Sequence, residues 1–284
     1  MPDLERNPYK DEQGAPKLRL SVAAFIDFLG YSEYIKEAFK EPAGGEKELI
    51  RLRGALDDAY KYLMHRPEQE SGGPLDFQVR TLTDNLIIGY PIPESEGKRE
   101  TRWIIESVIN YIGYLQAQLA RDGYFIRGAI SVGELYIDED IVFGPALIEA
   151  HRAEQELAVF PRVIFCASAE EPFREWEENG KIPDVLVDSD RRIFIDYLET
   201  TVMIAYPDDR PFTEFLEGHK ASVMANLEKF AEKPYIRAKY EWAAIYHNTF
   251  CDNHPDLFGD DDKIPHTLLA SKPRFWIPNP SETG

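Results

Sequence analysis

Two hydrophobic rhythms alternate along the chain. Apolar residues crowd the run from Leu18 to Phe25, so Lys17 to Asp27 predicts a strand buried on at least one face. It closes on Asp27 and a turn at Gly30. Tyr31 to Lys40 reads as a short helix, and the Pro/Gly break from Glu41 to Gly45 ends it. From Glu46 to Met64, Leu49, Leu52, Leu56, Tyr60 and Leu63 recur at helical spacing. Phe77 to Thr81 and Asn85 to Tyr90 read as a hairpin around Thr83-Asp84. Glu100 to Ala120 is amphipathic, with Ile104, Val108, Ile112, Leu115 and Leu119 on one face, and Gly123 caps it.

Tyr124 to Val132 predicts another strand, with Glu134 to Phe143 as its hairpin partner. Gly144-Pro145 starts a helix to about Leu157, since proline's missing N–H costs least there. Arg162 to Cys166, Val185 to Asp188 and Arg192 to Asp196 read as strands, and Glu170 to Glu178 as a short helix. Pro211 to Ala231 and Tyr235 to Phe250 predict two further helices, expected to pack on a partner subunit. Asn253 to Gly284, rich in Pro and Asp, is expected to be an arm with little regular structure. The order β-α-α-β-β-α-β predicts an α+β fold with a mixed or antiparallel sheet and helices on one face. Residues 17–200 are expected to form the main domain and 201–284 a C-terminal helical extension and arm.

Charge narrows the function classes. The net charge is −19, from 51 acids and 32 bases, which disfavours binding to nucleic acid or to an anionic membrane surface. The two cysteines, Cys166 and Cys251, have no paired spacing and fit a reducing cytoplasm. The polar N-terminus has no signal region, and no apolar run approaches the ~20 residues of a membrane span.

Three stretches could carry chemistry together. A buried carboxylate such as Asp27 needs a cation, either an Arg or Lys or a metal. Asp84 opens a strand that could lie close enough to share one ion with it. Two hard oxygen ligands suit Mg²⁺ or Mn²⁺. The glycine turn after Asp27 offers backbone N–H groups to a phosphate. Arg152, on the helix that begins at Gly144, could stabilise phosphoryl charge. Arg80 could contact a base or phosphate, or pair with Asp84. His247, Cys251 and His254 have helical spacing and could form a zinc site, but no fourth ligand is near and a helix end with a Tyr/His face is the favoured reading.

The stretches Phe25-Ile-Asp27-Phe-Leu-Gly30-Tyr31-Ser32, Arg80-Thr-Leu-Thr83-Asp84, Arg127-Gly-Ala129-Ile130-Ser-Val-Gly133 and Gly144-Pro-Ala-Leu147-Ile148-Glu-Ala150-His-Arg152 occur in one order. Together they resemble the catalytic domain of class III adenylate and guanylate cyclases, over about residues 18 to 165. The resemblance implies a ferredoxin-like βααββαβ core working as a head-to-tail homodimer on a nucleoside triphosphate. It implies that Asp27 and Asp84 hold two divalent ions and that the backbone from Phe28 through Leu29, Gly30, Tyr31 and Ser32 holds the triphosphate. It implies that Arg152 reaches in from the other subunit. The base-selecting Lys becomes Arg80, the second base-selecting position falls on Ile141, and the ribose-positioning Asn falls on Ile148. An Ile can neither accept nor donate for a purine.

The chain is therefore most similar to the bacterial Pycsar anti-phage cyclases, which make cyclic pyrimidine nucleotides. The stretch Lys239-Tyr240-Glu241-Trp242 through Tyr246-His247-Asn248 also looks like the end of such proteins. The expected substrate is UTP ahead of CTP, because a planar Arg80 can donate to uracil's carbonyls. A non-catalytic nucleotide-binding or dimerisation module, or a purine cyclase, is the alternative.

Overall fold

The computed structural model describes residues 7–64, 77–82, 84–93, 98–170, 184–203 and 212–269. The predicted helix from Glu170 to Glu178, Thr83 and the end of the arm fall wholly or mostly outside these. The first strand, β1 (Arg19–Phe28), is followed by helices α1 (Tyr31–Ala38) and α2 (Gly44–Met64). Strands β2 (Gln78–Leu82) and β3 (Asn85–Pro91), helix α3 (Lys98–Arg121) and strand β4 (Ile126–Ile137) complete the βααββαβ order. The sheet runs β2-β3-β1-β4 with every neighbouring pair antiparallel, which is ferredoxin-like topology.

The sheet then continues. Strand β5 (Val142–Phe143) pairs with β4. Helix α4 (Pro145–Leu157) leads to β6 (Val163–Phe165), which joins β4 in parallel. Strands β7 (Val185–Val187) and β8 (Ile193–Ile195) extend this side in the order β6-β8-β7. Helices α5 (Tyr197–Met203), α6 (Thr213–Lys229) and α7 (Pro234–Asn253) follow.

Alternation along β1 decides what each face does. Val22, Ala24, Ile26 and Phe28 join the main core with residues of α2 and α3. Ala23 and Phe25 join a smaller core with Leu135, Ile137, and Ala146 and Ala150 of α4. Asp27 continues the second set and so belongs on the α4 side. Here two side chains near the end of β4, Leu135 and Ile137, also reach over β3. A Cβ on Gly89 would meet Leu135 Cδ2 at 2.6 Å and Tyr9 Oη at 2.8 Å, so the close approach needs glycine.

Four expectations change. Strand β4 does not turn at Gly133 but runs to Ile137, so the hairpin closes later, over residues 138–141. Gly133 pairs with Ser21 inside the ladder, and an added Cβ there would touch Ala146, so this glycine makes room for α4 rather than for a turn. Helix α5 was not expected, because Thr200, Thr201 and Val202 are poor helix formers; buried packing holds it instead. Tyr240 and Trp242 of the C-terminal helices are buried within their own chain, whereas Tyr235 is exposed. Tyr240 meets Phe125 edge-on with ring centroids 5.3 Å apart, and Trp242 stacks on Phe160 at 5.9 Å. Part of the arm is also packed, through Phe258 and Ile264.

Between α5, α6 and α7 lies a buried chain of rings. Tyr197 Oη is 2.7 Å from His219 Nε2, His219 Nδ1 is 3.1 Å from His247 Nδ1, and His247 Nε2 is 3.0 Å from the Asp262 carbonyl. A carbonyl only accepts, so His247 carries its proton on Nε2. Its Nδ1 then accepts from His219, and Tyr197 donates to His219. Both rings are neutral, and burial pushes His247 down from 6.5 to about 4. For such a base the unfolded chain binds protons first. Its contribution to stability is therefore complete above pH 6.5 and is lost as pH falls toward 4. Asp196, raised to about 7 by burial, acts in the opposite sense, so the test must be a difference between two proteins. In His247→Gln the amide keeps both hydrogen bonds without titrating. Relative to that variant, wild-type stability in urea is expected to fall by roughly 3 kcal/mol over this window. Parallel curves would contradict it.

Candidate active site

The carboxylate that ends β1 has a protein partner. In the antiparallel register Asp27 lies opposite Arg127 on β4 and opposite Asn85 on β3. Arg127 Nε donates to Asp27 Oδ2 at 3.0 Å, and Nη1 donates to the Ala158 carbonyl at 3.2 Å. Nη2 lies 2.7 Å from Oε1 of Glu154, a side chain 3% exposed on α4. That last contact is an ion pair without hydrogen-bond alignment, so Glu154 Oε1 is a buried acceptor lacking an aligned donor. The Phe28 N–H donates to the Asp84 carbonyl at 3.1 Å, which ties the β2–β3 turn to the same corner.

The electrostatics of this corner are those of excess negative charge. Burial raises the Asp27 carboxyl above its ordinary range; Arg127 pulls it down and Asp84 pushes it up again. Burial likewise raises Glu154, and both Asp27 and Asp84 add to the rise. Lys239 of α7 also feels Asp27 and Glu154; burial and Arg127 lower its pKa. The set is of a kind that attracts a divalent cation, although among the described residues no three His, Cys, Asp or Glu side chains group as a metal site. The donors are hard carboxylate oxygens, one of them orphaned, and one guanidinium does not bring the acids back to their usual range.

Sequence reasoning named Arg127, Glu154 and Lys239 only as members of longer stretches and gave none of them a role of its own. The pairing of Asp27 with Arg127 depends on the register of β1 on β4, which element order alone does not give. Glu154 extends the buried stripe Ala146, Ala150, Ala153 on α4, and a Glu on such a stripe is a signal in itself. Lys239 offered no signal beyond the stretch it opens.

The phosphate cradle is narrower than expected. Phe28 and Leu29 have their N–H groups committed, to Asp84 and to the Phe125 carbonyl at 2.8 Å. These two cannot hold a phosphate through their amides without breaking the fold. Gly30 adopts φ 76° as the cap before α1. The N–H groups of Gly30, Tyr31 and Ser32 lie at this helix start, and among the described residues none has a backbone acceptor.

Arg80 does not pair with Asp84. Its Nη1 donates to its neighbour's carbonyl, Val79, at 2.9 Å, and its Nε donates to the Asp138 carbonyl in the β4–β5 turn. Ile141 closes the same turn and is exposed. Arg80 of β2 and Ile141 thus both adjoin the β4–β5 turn. Arg152 is not part of the Asp27 corner in its own chain. It is 75% exposed on α4 and pairs with Glu156 at 3.0 Å, beside exposed Ile148. The proposed zinc trio is not brought together. Both His247 nitrogens are engaged as described, and His254 turns to the Phe250 carbonyl and to Glu199.

No family model matches the sequence, and no curated protein does. Solved structures with a related chain path include the adenylyl cyclase CyaB from P. aeruginosa (14% identity, TM-score 0.41), matched over 63% of this chain and 93% of that one. A class III adenylyl cyclase-like ATP-binding protein from Pseudomonas aeruginosa matches at 13% identity and TM-score 0.41, over 66% of this chain and 41% of that one. The catalytic core of a rhodopsin-guanylyl cyclase with converted specificity, in complex with ATPαS, matches at 13% and 0.40, over 63% and 96%. Likeness of this degree assigns no residue a role. Among the described residues no helix is long and apolar enough to cross a membrane.

Proposed function

We propose that the chain is a nucleotide cyclase acting as a homodimer, and that its substrate is a pyrimidine triphosphate, UTP ahead of CTP. The observation that carries this is the corner where half-buried Asp27 and Asp84 and buried Glu154 leave an excess of negative charge beside the uncommitted amides of Gly30, Tyr31 and Ser32. Cation-seeking carboxylates next to anion-seeking amides suit a metal-bound triphosphate.

In this reading Asp27 and Asp84 hold Mg²⁺ or Mn²⁺, and Arg127 keeps Asp27 oriented through Oδ2. A divalent ion, when bound, neutralises phosphate charge and favours ionisation of the ribose hydroxyl. The amides of Gly30, Tyr31 and Ser32 hold the phosphates. The ribose 3′-oxygen attacks the α-phosphorus as its proton passes to solvent, the bond from the α-phosphorus to the bridging oxygen breaks, and pyrophosphate leaves. Arg152 of a second copy stabilises the charge on the α-phosphate; its exposure and weak pairing with Glu156 leave it available for that. Arg80 reads the base. The cyclic product would serve as a second messenger in anti-phage defence, a role that rests on the sequence resemblance.

One observation favours the non-catalytic alternative: Asp27 already has a cation in Arg127. Incubating the purified protein with ATP, GTP, CTP or UTP and Mn²⁺ separates the readings. Cyclic UMP as main product, abolished by EDTA, is expected. Cyclic AMP as main product would contradict the pyrimidine assignment, and no product from folded protein would support the binding module.

A further inference from the structure

We infer that Asp138 is a positioning residue that sets base selectivity through Arg80; this rests on the cyclase reading above. The Asp138 carboxylate organises the hairpin tip. It accepts from Tyr136 Oη at 2.6 Å, from the Asp140 N–H at 2.9 Å and from the Ile141 N–H at 3.0 Å. The Asp138 N–H in turn donates to the Ile141 carbonyl at 3.0 Å. A side chain that satisfies two donors of a four-residue turn and a third from the preceding strand restricts that turn to one conformation.

The main-chain carbonyl of the same residue accepts from Arg80 Nε, and Val79 accepts from Nη1. Two carbonyls on two edges fix the plane of a guanidinium. Neither neutralises it, and among the described residues no carboxylate pairs with Arg80 and no acceptor takes Nη2. The result is a guanidinium donor held rigidly beside the turn that carries exposed Ile141. Such a donor selects a base with a carbonyl on its edge, and an apolar neighbour offers nothing to an exocyclic amine. Uracil meets both conditions better than cytosine, which has one carbonyl and one amine, or adenine, which has no carbonyl. Asp138 therefore contributes selectivity without touching substrate, by holding the arginine that does.

The test compares wild type with Asp138→Ala on UTP and CTP, recording KM, kcat, the product ratio and the melting temperature. Loosening the turn is expected to raise KM for UTP roughly tenfold and to draw the ratio of cyclic UMP to cyclic CMP toward one. The value of kcat at saturating UTP should stay within about twofold, and melting should be nearly unchanged. Tyr136→Phe, which removes one of the three donors, should shift KM and the ratio the same way by less, and it carries the test if Asp138→Ala does not fold. An active wild type whose variants keep KM and product ratio would overturn this inference alone. A wild type that makes no cyclic nucleotide would overturn the cyclase reading and this inference with it.

Discussion

Asp27→Asn is expected to lower turnover roughly a thousandfold or more, about 4 kcal/mol of lost transition-state stabilisation, with folding retained. The amide keeps the shape of the side chain but removes the charge that holds a divalent ion. Folding should survive because Arg127 keeps Glu154 at 2.7 Å and the Ala158 carbonyl at 3.2 Å. Burial also penalises the Asp27 carboxylate in the native protein, so the neutral amide relieves a cost while losing an ion pair. Circular dichroism, melting temperature and initial rate on the same preparation check this. Unchanged turnover would mean that Asp27 serves only as the partner of Arg127.

Arg162→Ala is expected to cost about 3–5 kcal/mol of stability, because it strands a buried charge. Arg162 is 0% exposed, at the foot of β6, and is ion-paired to Asp188 and Asp190. Asp188, 1% exposed, also accepts from Trp242 Nε1 at 2.7 Å, so this cluster fastens α7 to the sheet extension. The guanidinium lies 5.4 Å from the Phe160 ring and 6.0 Å from that of Trp242. Without the arginine, Asp188 keeps only neutral donors. Urea unfolding of Arg162→Ala and of Arg162→Met with Asp188→Asn tests the cause. The double variant should recover most of the loss, since it removes both charges. If both variants unfold alike, lost packing rather than lost charge is responsible.

Much of the frame was legible because its elements carry clean periods. The α3 stripe from Ile104 to Leu119 and the buried run that makes β1 both survive in the structure. What failed was decided by distant contacts. Gly133 looked like a turn residue, but α4 packs over it, and the true turn is set by the Asp138 carboxylate four residues past Glu134. Helix α5 is held by burial of Tyr197, Thr200 and Thr201 against residues far along the chain. At the site, Asp27 and Arg80 could be named from sequence, but their partners could not. Arg127 comes from the register of β1 on β4, Glu154 from the way α4 lies on the sheet, and Lys239 from a helix more than 200 residues away. Of the two readings open for Arg80, pairing with Asp84 does not occur, because the end of β4 brings the Asp138 carbonyl to Arg80 instead.

The central claim is one pyrimidine nucleotide site built from two copies of the chain, with Asp27 from one and Arg152 from the other. Mixing Asp27→Asn with Arg152→Ala tests it most directly. Each variant alone should be inactive on UTP with Mn²⁺. After subunit exchange the mixture should regain roughly a quarter of wild-type turnover, since half the dimers are mixed and each then has one intact site. A mixture as inactive as its components, with exchange shown by labelled subunits, would contradict the claim.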